Sequence, residues 1–251
     1  MTGRLSHIVR HPIKSIGFED IQSAPLTQGR VLPFDRVWAV SHQAAKFESP
    51  LGEWSRKMNF VRGVAAPKLM AVQAQMLADG QITLSHSEVP DLTLDPDRAE
   101  DQARLIDWLR PLWPESRPAP RAVERVEGVS LADMAEPYVS VLSLSSLAAL
   151  GAAAGTEVSR HRFRGNLWVE GWAPWAERAL VGKRLRIGAA VLEVAMPITR
   201  CRATCSNPVT GTEDLETLDL LERLNGDWHF GCYATVIEGG TITLGDPVEV
   251  L

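Results

Sequence analysis

The chain has little cysteine: three residues in 251, namely Cys201, Cys205 and Cys232. An odd number this small cannot build the disulfide framework that stabilises small secreted proteins. The thiols are therefore expected to be free or bound to a metal.

The chain also has fewer basic residues than acidic ones. The chain has 26 lysines and arginines against 31 aspartates and glutamates, for a formal net charge of −5. Without a sustained basic stripe, nucleic-acid binding is not expected. No apolar run approaches the roughly 18 residues of a membrane-spanning helix, so no membrane span is expected. The first residues, "MTGRLSHIVRHP", lack the apolar block of a signal peptide, which predicts a location in the cytoplasm.

The first ninety residues predict short strands. "RLSHIVRHP" and "RVWAVS" are rich in β-branched and aromatic residues, and residues 72–86, "VQAQMLADGQITLSH", have the Asp-Gly of a hairpin between alternating flanks. A helical stripe of leucines and a tryptophan then follows, with Asp95 predicted as its N-cap, Pro96 as its first residue and an end near Pro111.

A segment with linker composition, "WPESRPAPR" at residues 113–121, predicts a boundary between residues 1–115 and residues 116–251. After it, residues 143–155 predict a helix with a serine cap and a glycine stop. Residues 162–172 and 183–198 predict strands, the second a long strand or a hairpin.

The end of the chain continues this alternation of short elements. Residues 212–226, "TEDLETLDLLERLNG", predict a helix with acids in its first turn and an Asn-Gly stop. Two apolar runs follow about Gly239-Gly240. Many strands, few short helices and no βαβ rhythm predict a β-rich α+β fold made of barrels.

Cys201 is the first candidate for chemistry. It follows a predicted strand, opens the loop "RCRATCSNPVTG", and has arginines at 200 and 202 that favour the thiolate form. Three alternatives stay open at this point. A cysteine can be a small buried hydrophobe, Cys201, Cys205, His229 and Cys232 could bind zinc, and a Cys201–His229 nucleophile pair is conceivable.

Three basic motifs form the second candidate feature. They are "HPIKS" at residues 11–15, "DRVW" at residues 35–38 and "RFRGN" at residues 162–166. A half-buried guanidinium among strand residues requires an anionic partner. Together the three motifs predict a pocket for an anionic ligand in a protein that is acidic as a whole.

In their order along the chain, these motifs, "TRCRATCSNPVTG" and the terminal "GGTITLGDPVEV" resemble one family over nearly the whole sequence. The family has an N-terminal β-barrel domain packed against a MOSC β-barrel domain with a few short helices. It includes the mitochondrial amidoxime-reducing component, bacterial relatives and the C-terminal part of molybdenum cofactor sulfurase. The two domains would be residues 1–115 and 116–251.

The resemblance implies that the protein binds the molybdenum cofactor. In the family a cysteine followed by threonine three residues later and glycine ten residues later ligates molybdenum, and Cys201, Thr204 and Gly211 have this spacing. A thiolate suits a metal held by a pterin dithiolene. The phosphate and pterin would contact five further residues, namely Lys14, Ser15, Arg36, Arg164 and Asn166. Pyridoxal phosphate binding is a secondary expectation from the same resemblance.

The implied activity is a molybdenum-dependent oxidoreductase that reduces N-hydroxylated compounds such as amidoximes and hydroxylamines. Three cysteines cannot hold a two-iron cluster, so electrons are expected from a separate ferredoxin, or from a cytochrome b5-like protein with a reductase. The alternative is a module that carries molybdenum cofactor or sulfur without reductase activity. The sequence departs from the family at Ile198 and Cys205, where relatives often have cysteine and threonine.

Overall fold

In the computed structural model, which describes all residues 1–251, fifteen strands and three α-helices alternate with short 3-10 turns. The strands are β1 Thr2–Arg10, β2 Glu19–Ile21, β3 Ser23–Leu26, β4 Trp38–His42, β5 Gln73–Met76, β6 Ile82–His86, β7 Val89–Leu94, β8 Pro120–Arg125, β9 Val139–Ser143, β10 Leu167–Glu170, β11 Arg184–Ile187, β12 Ala190–Thr199, β13 His229–Glu238, β14 Gly240–Thr243 and β15 Pro247–Val250. The helices are α1 Ala99–Leu109, α2 Leu144–Ala154 and α3 Thr217–Asn225. The predicted β-rich α+β class is confirmed.

Seven strands close into a barrel. The order is β10-β9-β13-β12-β11-β15-β1, and β1 pairs back with β10 to complete the ring. All pairs are antiparallel except β9 with β10. Alternate side chains of these strands fill the interior, and twenty-one buried residues form this core. Closing the sheet leaves no exposed edge, so the barrel is a rigid support for the loops at its rim.

Outside the barrel, β2 pairs with β1 and β3 pairs with β14, and the remaining strands of the N-terminal half form two smaller sheets with a separate core. β4 pairs with β8, β5–β7 form a three-stranded meander, and α1 packs its leucines against them. Strand pairing crosses the predicted boundary in both directions: β1 lies in the barrel, and β8 pairs with β4. The division at residues 115 and 116 stays a prediction.

Local signals were right where one residue decides the geometry. The Ser143 hydroxyl caps α2 by accepting from the Ser146 amide, and Gly155 ends the helix in the left-handed region. Gly226 ends α3 in the same way. Residues 183–198 form the hairpin of β11 and β12.

Two local predictions were wrong. α1 begins at Ala99 rather than at Pro96, because the Asp95 carboxylate accepts from the Asp97 amide in a turn before the helix. Residues 162–166 are not extended: Arg160–Phe163 form a 3-10 turn, and a strand begins only at Leu167. The two apolar runs on either side of Gly239-Gly240 form β13 and then β14 with β15, and β14 pairs with β3.

Candidate functional site

A cavity of about 260 Å³ lies between the barrel rim and the loops of the N-terminal half. Its wall includes all seven residues that the sequence analysis assigned to the cofactor, namely Lys14, Ser15, Arg36, Arg164, Asn166, Cys201 and Thr204. They come from four separate stretches of the chain. Their roles toward a ligand stay predictions, but the fold brings them to one place.

Three of these residues have backbones in the left-handed region. Ser15, Arg36 and Arg164 have φ values of 62°, 55° and 47°, and only Phe34 and Trp175 share this feature among the other non-glycine residues. Such conformations cost about 1–3 kcal/mol each and persist where the surroundings impose them. Here the backbone amide of Arg36 donates to the His11 carbonyl oxygen at 2.7 Å, which ties the first two basic motifs together.

The cavity is strongly basic. Seven cationic side chains line it, against the carboxylates of Asp133 and Glu136. The seven are Lys14, Arg36, Lys57, Arg62, Arg162, Arg164 and Arg200. In a protein of net charge −5, this concentration of positive charge is local and marks a place for an anion.

Arg164 lacks a carboxylate partner. Its Nη2 donates to the Gly17 carbonyl oxygen at 3.1 Å, whereas its buried Nη1 has no hydrogen-bond partner. Burial lowers the pKa of this guanidinium to about 9, and the positive charge of Arg36 adds to the effect. A buried donor without an acceptor costs about 1–3 kcal/mol. Arg164 is therefore available to an anionic ligand.

The two other predicted cations are compensated. The Lys14 side chain is 3% exposed, and its Nζ lies 2.5 Å from the Asp133 carboxylate. Burial lowers the pKa of Lys14. Partial desolvation raises the pKa of Asp133, whose side chain is 45% exposed, but the Lys14 ammonium outweighs this effect and the pKa falls to about 2. Arg36 pairs with Asp35 and also donates to the Arg164 carbonyl oxygen at 2.8 Å.

The thiol of Cys201 is exposed at the cavity wall. Thr204 holds the loop that carries it, because the Thr204 hydroxyl and backbone amide both donate to the Cys201 carbonyl oxygen at 3.0 Å. Gly211 has a different role: its φ is 66°, and a Cβ there would lie 2.6 Å from the Lys68 Cα. Thr204 therefore positions the loop that carries the sulfur, whereas Gly211 allows that loop to pass close to the Lys68 backbone.

The arginines that flank Cys201 are engaged elsewhere. Arg200 donates to the carbonyl oxygens of Phe163 and Phe230, and its Cζ lies 5.5 and 5.8 Å from the centroids of those two rings. Burial lowers the pKa of Arg200 to about 10. Arg202 pairs with two carboxylates on the surface. Arg200 therefore stabilises the rim, and the charge of Arg202 is neutralised.

The Asn166 side chain is also used within the protein. Its Oδ1 accepts from the Ser140 hydroxyl at 2.8 Å and from the Ser140 amide, and its Nδ2 donates to the Val9 carbonyl oxygen at 3.1 Å. This side chain joins β1, β9 and β10 where the barrel closes. Any contact with a ligand would use its remaining amide hydrogen.

The alternatives for the cysteines lose support. The Cys232 thiol is buried, donates to the Glu177 carbonyl oxygen at 3.1 Å, and has its pKa raised to about 12 by burial. Cys205 is buried with its sulfur 3.4 Å from the Thr217 hydroxyl. No three His, Cys, Asp or Glu side chains converge as metal ligands, and His229 does not line the cavity.

Sequence reasoning missed part of the wall. Tyr138 and Tyr233, the chain's two tyrosines, stack with ring centroids 5.2 Å apart and both line the cavity. Their rarity in the sequence was the one available signal. Arg62 and Lys57 also face the cavity from a loop that carried no motif.

The residues present fit the molybdenum cofactor on chemical grounds. An exposed thiol supplies a soft donor, and a buried guanidinium atom without an acceptor lies in the same basic cavity. A phosphate satisfies such a guanidinium well, because its oxygens match the planar N–H groups.

Fold and site together define a two-domain β-barrel protein with a basic, thiol-bearing cavity. Two family models match the chain: the MOSC N-terminal beta barrel domain over residues 2–112 and the MOSC domain over residues 129–249. The chain belongs to the MOSC domain proteins with this N-terminal domain. The three α-helices have 11, 11 and 9 residues, and none of them is a candidate membrane span.

The chain is similar to two curated proteins and to one solved structure. The Mus musculus mitochondrial amidoxime-reducing component 1 is 32% identical over 160 residues, which cover 59% of this chain and 46% of that protein. The molybdenum cofactor sulfurase of Drosophila grimshawi is 29% identical over 117 residues, 44% of this chain and 15% of that protein. The chain thus spans less than half the length of these relatives. The YUAD protein of Bacillus subtilis aligns with a TM-score of 0.47 at 12% identity, covering 100% of this chain and 96% of that one.

Proposed function

We propose that this protein binds the molybdenum cofactor and reduces N-hydroxylated compounds, such as amidoximes and hydroxylamines. Electrons would come from a separate redox protein, either a ferredoxin or a cytochrome b5-like protein with its reductase. One observation carries the proposal: the buried Nη1 of Arg164 lacks an acceptor in the cavity where the Cys201 thiol is exposed. The similarity to the amidoxime-reducing component supports the substrate class.

Each residue of the site would have its own role in binding the molybdenum cofactor. Cys201 would be the metal's protein ligand, on a loop that Thr204 holds in place. Arg164 would bind the phosphate or pterin, and Arg36 would add positive charge, while the Lys14 ammonium is held at the wall by Asp133. When bound, the cofactor supplies the two-electron chemistry that removes oxygen from nitrogen.

Two protons must accompany the two electrons when the substrate oxygen leaves as water. The Tyr138 and Tyr233 phenols are hydroxyl donors in the cavity wall, and burial raises the pKa of Tyr233. A phenol that stays protonated at neutral pH can donate a hydrogen bond to the departing oxygen. Pyridoxal phosphate is not part of the proposal, because the buried Lys14 amine is already paired with Asp133.

The decisive experiment replaces Cys201. We expect Cys201→Ala, expressed in a host that makes the cofactor, to lose benzamidoxime reduction with an artificial electron donor and to show altered molybdenum coordination by X-ray absorption. Cys232→Ala is the control, because that thiol is buried in the barrel core. Full turnover in Cys201→Ala, or no molybdenum in the wild type by elemental analysis, would refute the proposal.

A second candidate function is a carrier that hands over molybdenum cofactor or sulfur. The exposure of the Cys201 thiol favours it, because a thiol that passes sulfur to another protein must be reachable, and the similarity to molybdenum cofactor sulfurase agrees. Wild-type protein that is loaded with molybdenum, yet turns over none of several N-hydroxylated substrates, would favour the carrier.

A further inference from the structure

A second concavity, of about 590 Å³, lies on the N-terminal half and carries only positive charge. We call it the basic groove, and it is lined by His42, Lys46, Arg56, Met58, Arg62 and Arg117 among others. No aspartate or glutamate lines it. Glu48, Glu53 and Glu115 are on the same loops but outside the lining.

The charges of this groove are not neutralised within the protein. None of Lys46, Arg56, Arg62 and Arg117 takes part in an ion pair, whereas thirteen of the nineteen ion pairs of the chain involve other arginines. Three of the four are exposed, and Arg62 is half-buried. Unpaired cations in a protein of net charge −5 produce a local positive field against a negative background.

The basic groove is continuous with the wall of the thiol-bearing cavity. Arg62 lines both concavities. Phe60, which also lines the groove, lies with its ring centroid 6.0 Å from the Nζ of Lys14, a residue of the cavity wall. A molecule seated in the groove is therefore separated from the cavity by one layer of side chains.

The character of the groove fits a protein surface better than a small anion. Its cations come from two loops and three of the four are exposed, so they do not converge on one bound group as buried donors would. Met58 is 60% exposed among them, and methionine with arginine is a composition typical of protein interfaces. Long-range attraction between a positive patch and an acidic partner also orients the encounter.

We propose that the basic groove is the docking site for an acidic electron-transfer protein, which is thereby placed beside the cavity. This inference rests on the proposed reductase function and gives the partner a charge and a position. A basic partner would be repelled by the groove, although the negative net charge of the whole protein would attract it.

The test compares two double variants of equal net charge. Arg56→Glu/Arg117→Glu reverses two groove charges, and Lys183→Glu/Arg186→Glu reverses two exposed, unpaired charges at β11. Neither pair belongs to the cavity wall. Binding of an oxidised, acidic plant-type [2Fe–2S] ferredoxin to the whole protein is measured by calorimetry at about 20 mM and about 150 mM salt.

We expect the groove variant to raise the Kd about tenfold or more at low salt, and the control to change it less than about threefold. Added salt should weaken binding of the wild type much more than that of the groove variant. Equal effects of the two variants, or no ferredoxin binding by the wild type at low salt, would overturn the docking site. So would displacement of ferredoxin by pyrophosphate at matched ionic strength, because that result identifies a small-anion site.

Turnover separates the two proposals. With reduced methyl viologen as donor, cofactor-loaded wild type and both variants should reduce benzamidoxime at the same rate. With reduced ferredoxin, only the groove variant should be slow. No turnover with viologen in any of the three refutes the reductase, whereas equal ferredoxin-driven rates refute the docking site alone.

Discussion

Replacing Arg164 with methionine should stabilise the cofactor-free protein, although it removes a residue from the candidate site. Burial lowers the pKa of this guanidinium from 12.5 to about 9, which corresponds to about 4–5 kcal/mol for keeping it charged. The side chain is half-buried, so solvent screening removes about half of that cost. Losing the hydrogen bond to the Gly17 carbonyl costs about 1 kcal/mol. The net gain should be about 1–2 kcal/mol.

The same change should remove the response to anions and to alkaline pH. Phosphate at about ten times its Kd stabilises a binding protein by about 1.4 kcal/mol, and Arg164→Met should lose most of this. Because the folded pKa lies below the unfolded value, the penalty is complete below about pH 9. Above that pH the unfolded chain binds more protons than the folded one, so the wild type should gain stability relative to Arg164→Met.

The assay is urea denaturation and thermal melting of protein from a host without molybdopterin, with phosphate or an ionic-strength-matched chloride buffer. We expect Arg164→Met to melt about 2–8 °C above the wild type in chloride. Arg164→Lys, which keeps the charge, is the control and should show no such gain. A variant less stable than the wild type, together with an undiminished response to phosphate, would show that Arg164 is an ordinary structural residue.

Three further predictions follow from single contacts. Gly211→Ala should destabilise the protein by about 2–4 kcal/mol in urea denaturation, because the added Cβ would clash with the Lys68 backbone. The control is Gly155→Ala, which has a similar φ but open space around the added Cβ and should cost only about 1 kcal/mol. Equal losses of stability in the two variants would contradict the close approach of Gly211 to Lys68. Asp133→Asn should destabilise the protein by about 2–4 kcal/mol at pH 7, because it leaves Lys14 buried and unpaired. The stability that the wild-type carboxylate contributes should be lost as pH falls from about 4 through the Asp133 pKa of about 2. A stability difference between the two proteins that does not change over this pH range would count against the ion pair. Alkylation at pH 8 followed by peptide mapping should modify Cys201 rapidly and Cys232 only after unfolding, so equal rates for both thiols would show that the barrel core is open.

Sequence reasoning was most accurate where a structure depends on neighbours in the chain. The serine cap and glycine stop of α2 are set by residues within one helical turn, and both were predicted correctly. It failed at residues 162–166, which were predicted to be extended but form the end of a 3-10 turn and the irregular segment after it. There Gly165 packs against Leu142, whose Cδ1 would lie 2.2 Å from an added Cβ, and this contact between distant segments overrides local preference.

The candidate site shows the same limit. Motif spacing and family resemblance selected seven residues, and all seven line one cavity. Neither the motif spacing nor the resemblance revealed that the Asn166 side chain forms hydrogen bonds between strands where the barrel closes. They also did not reveal that Arg62 faces the cavity. Those facts depend on which strands and loops become neighbours, and pairing partners far apart in the chain leave little trace in one sequence.

The amino-acid sequence by itself determined the β-rich class, the two caps of α2, the glycine stop of α3, and the set of residue types able to bind an anionic group with a soft metal. These follow from short-range sterics and side-chain chemistry, which act over a few residues. Only the tertiary structure decided which cations are left without a carboxylate. Lys14 pairs with Asp133, which is 119 positions away in the chain, whereas one buried nitrogen of Arg164 has no hydrogen-bond acceptor. That difference arises only when the barrel closes.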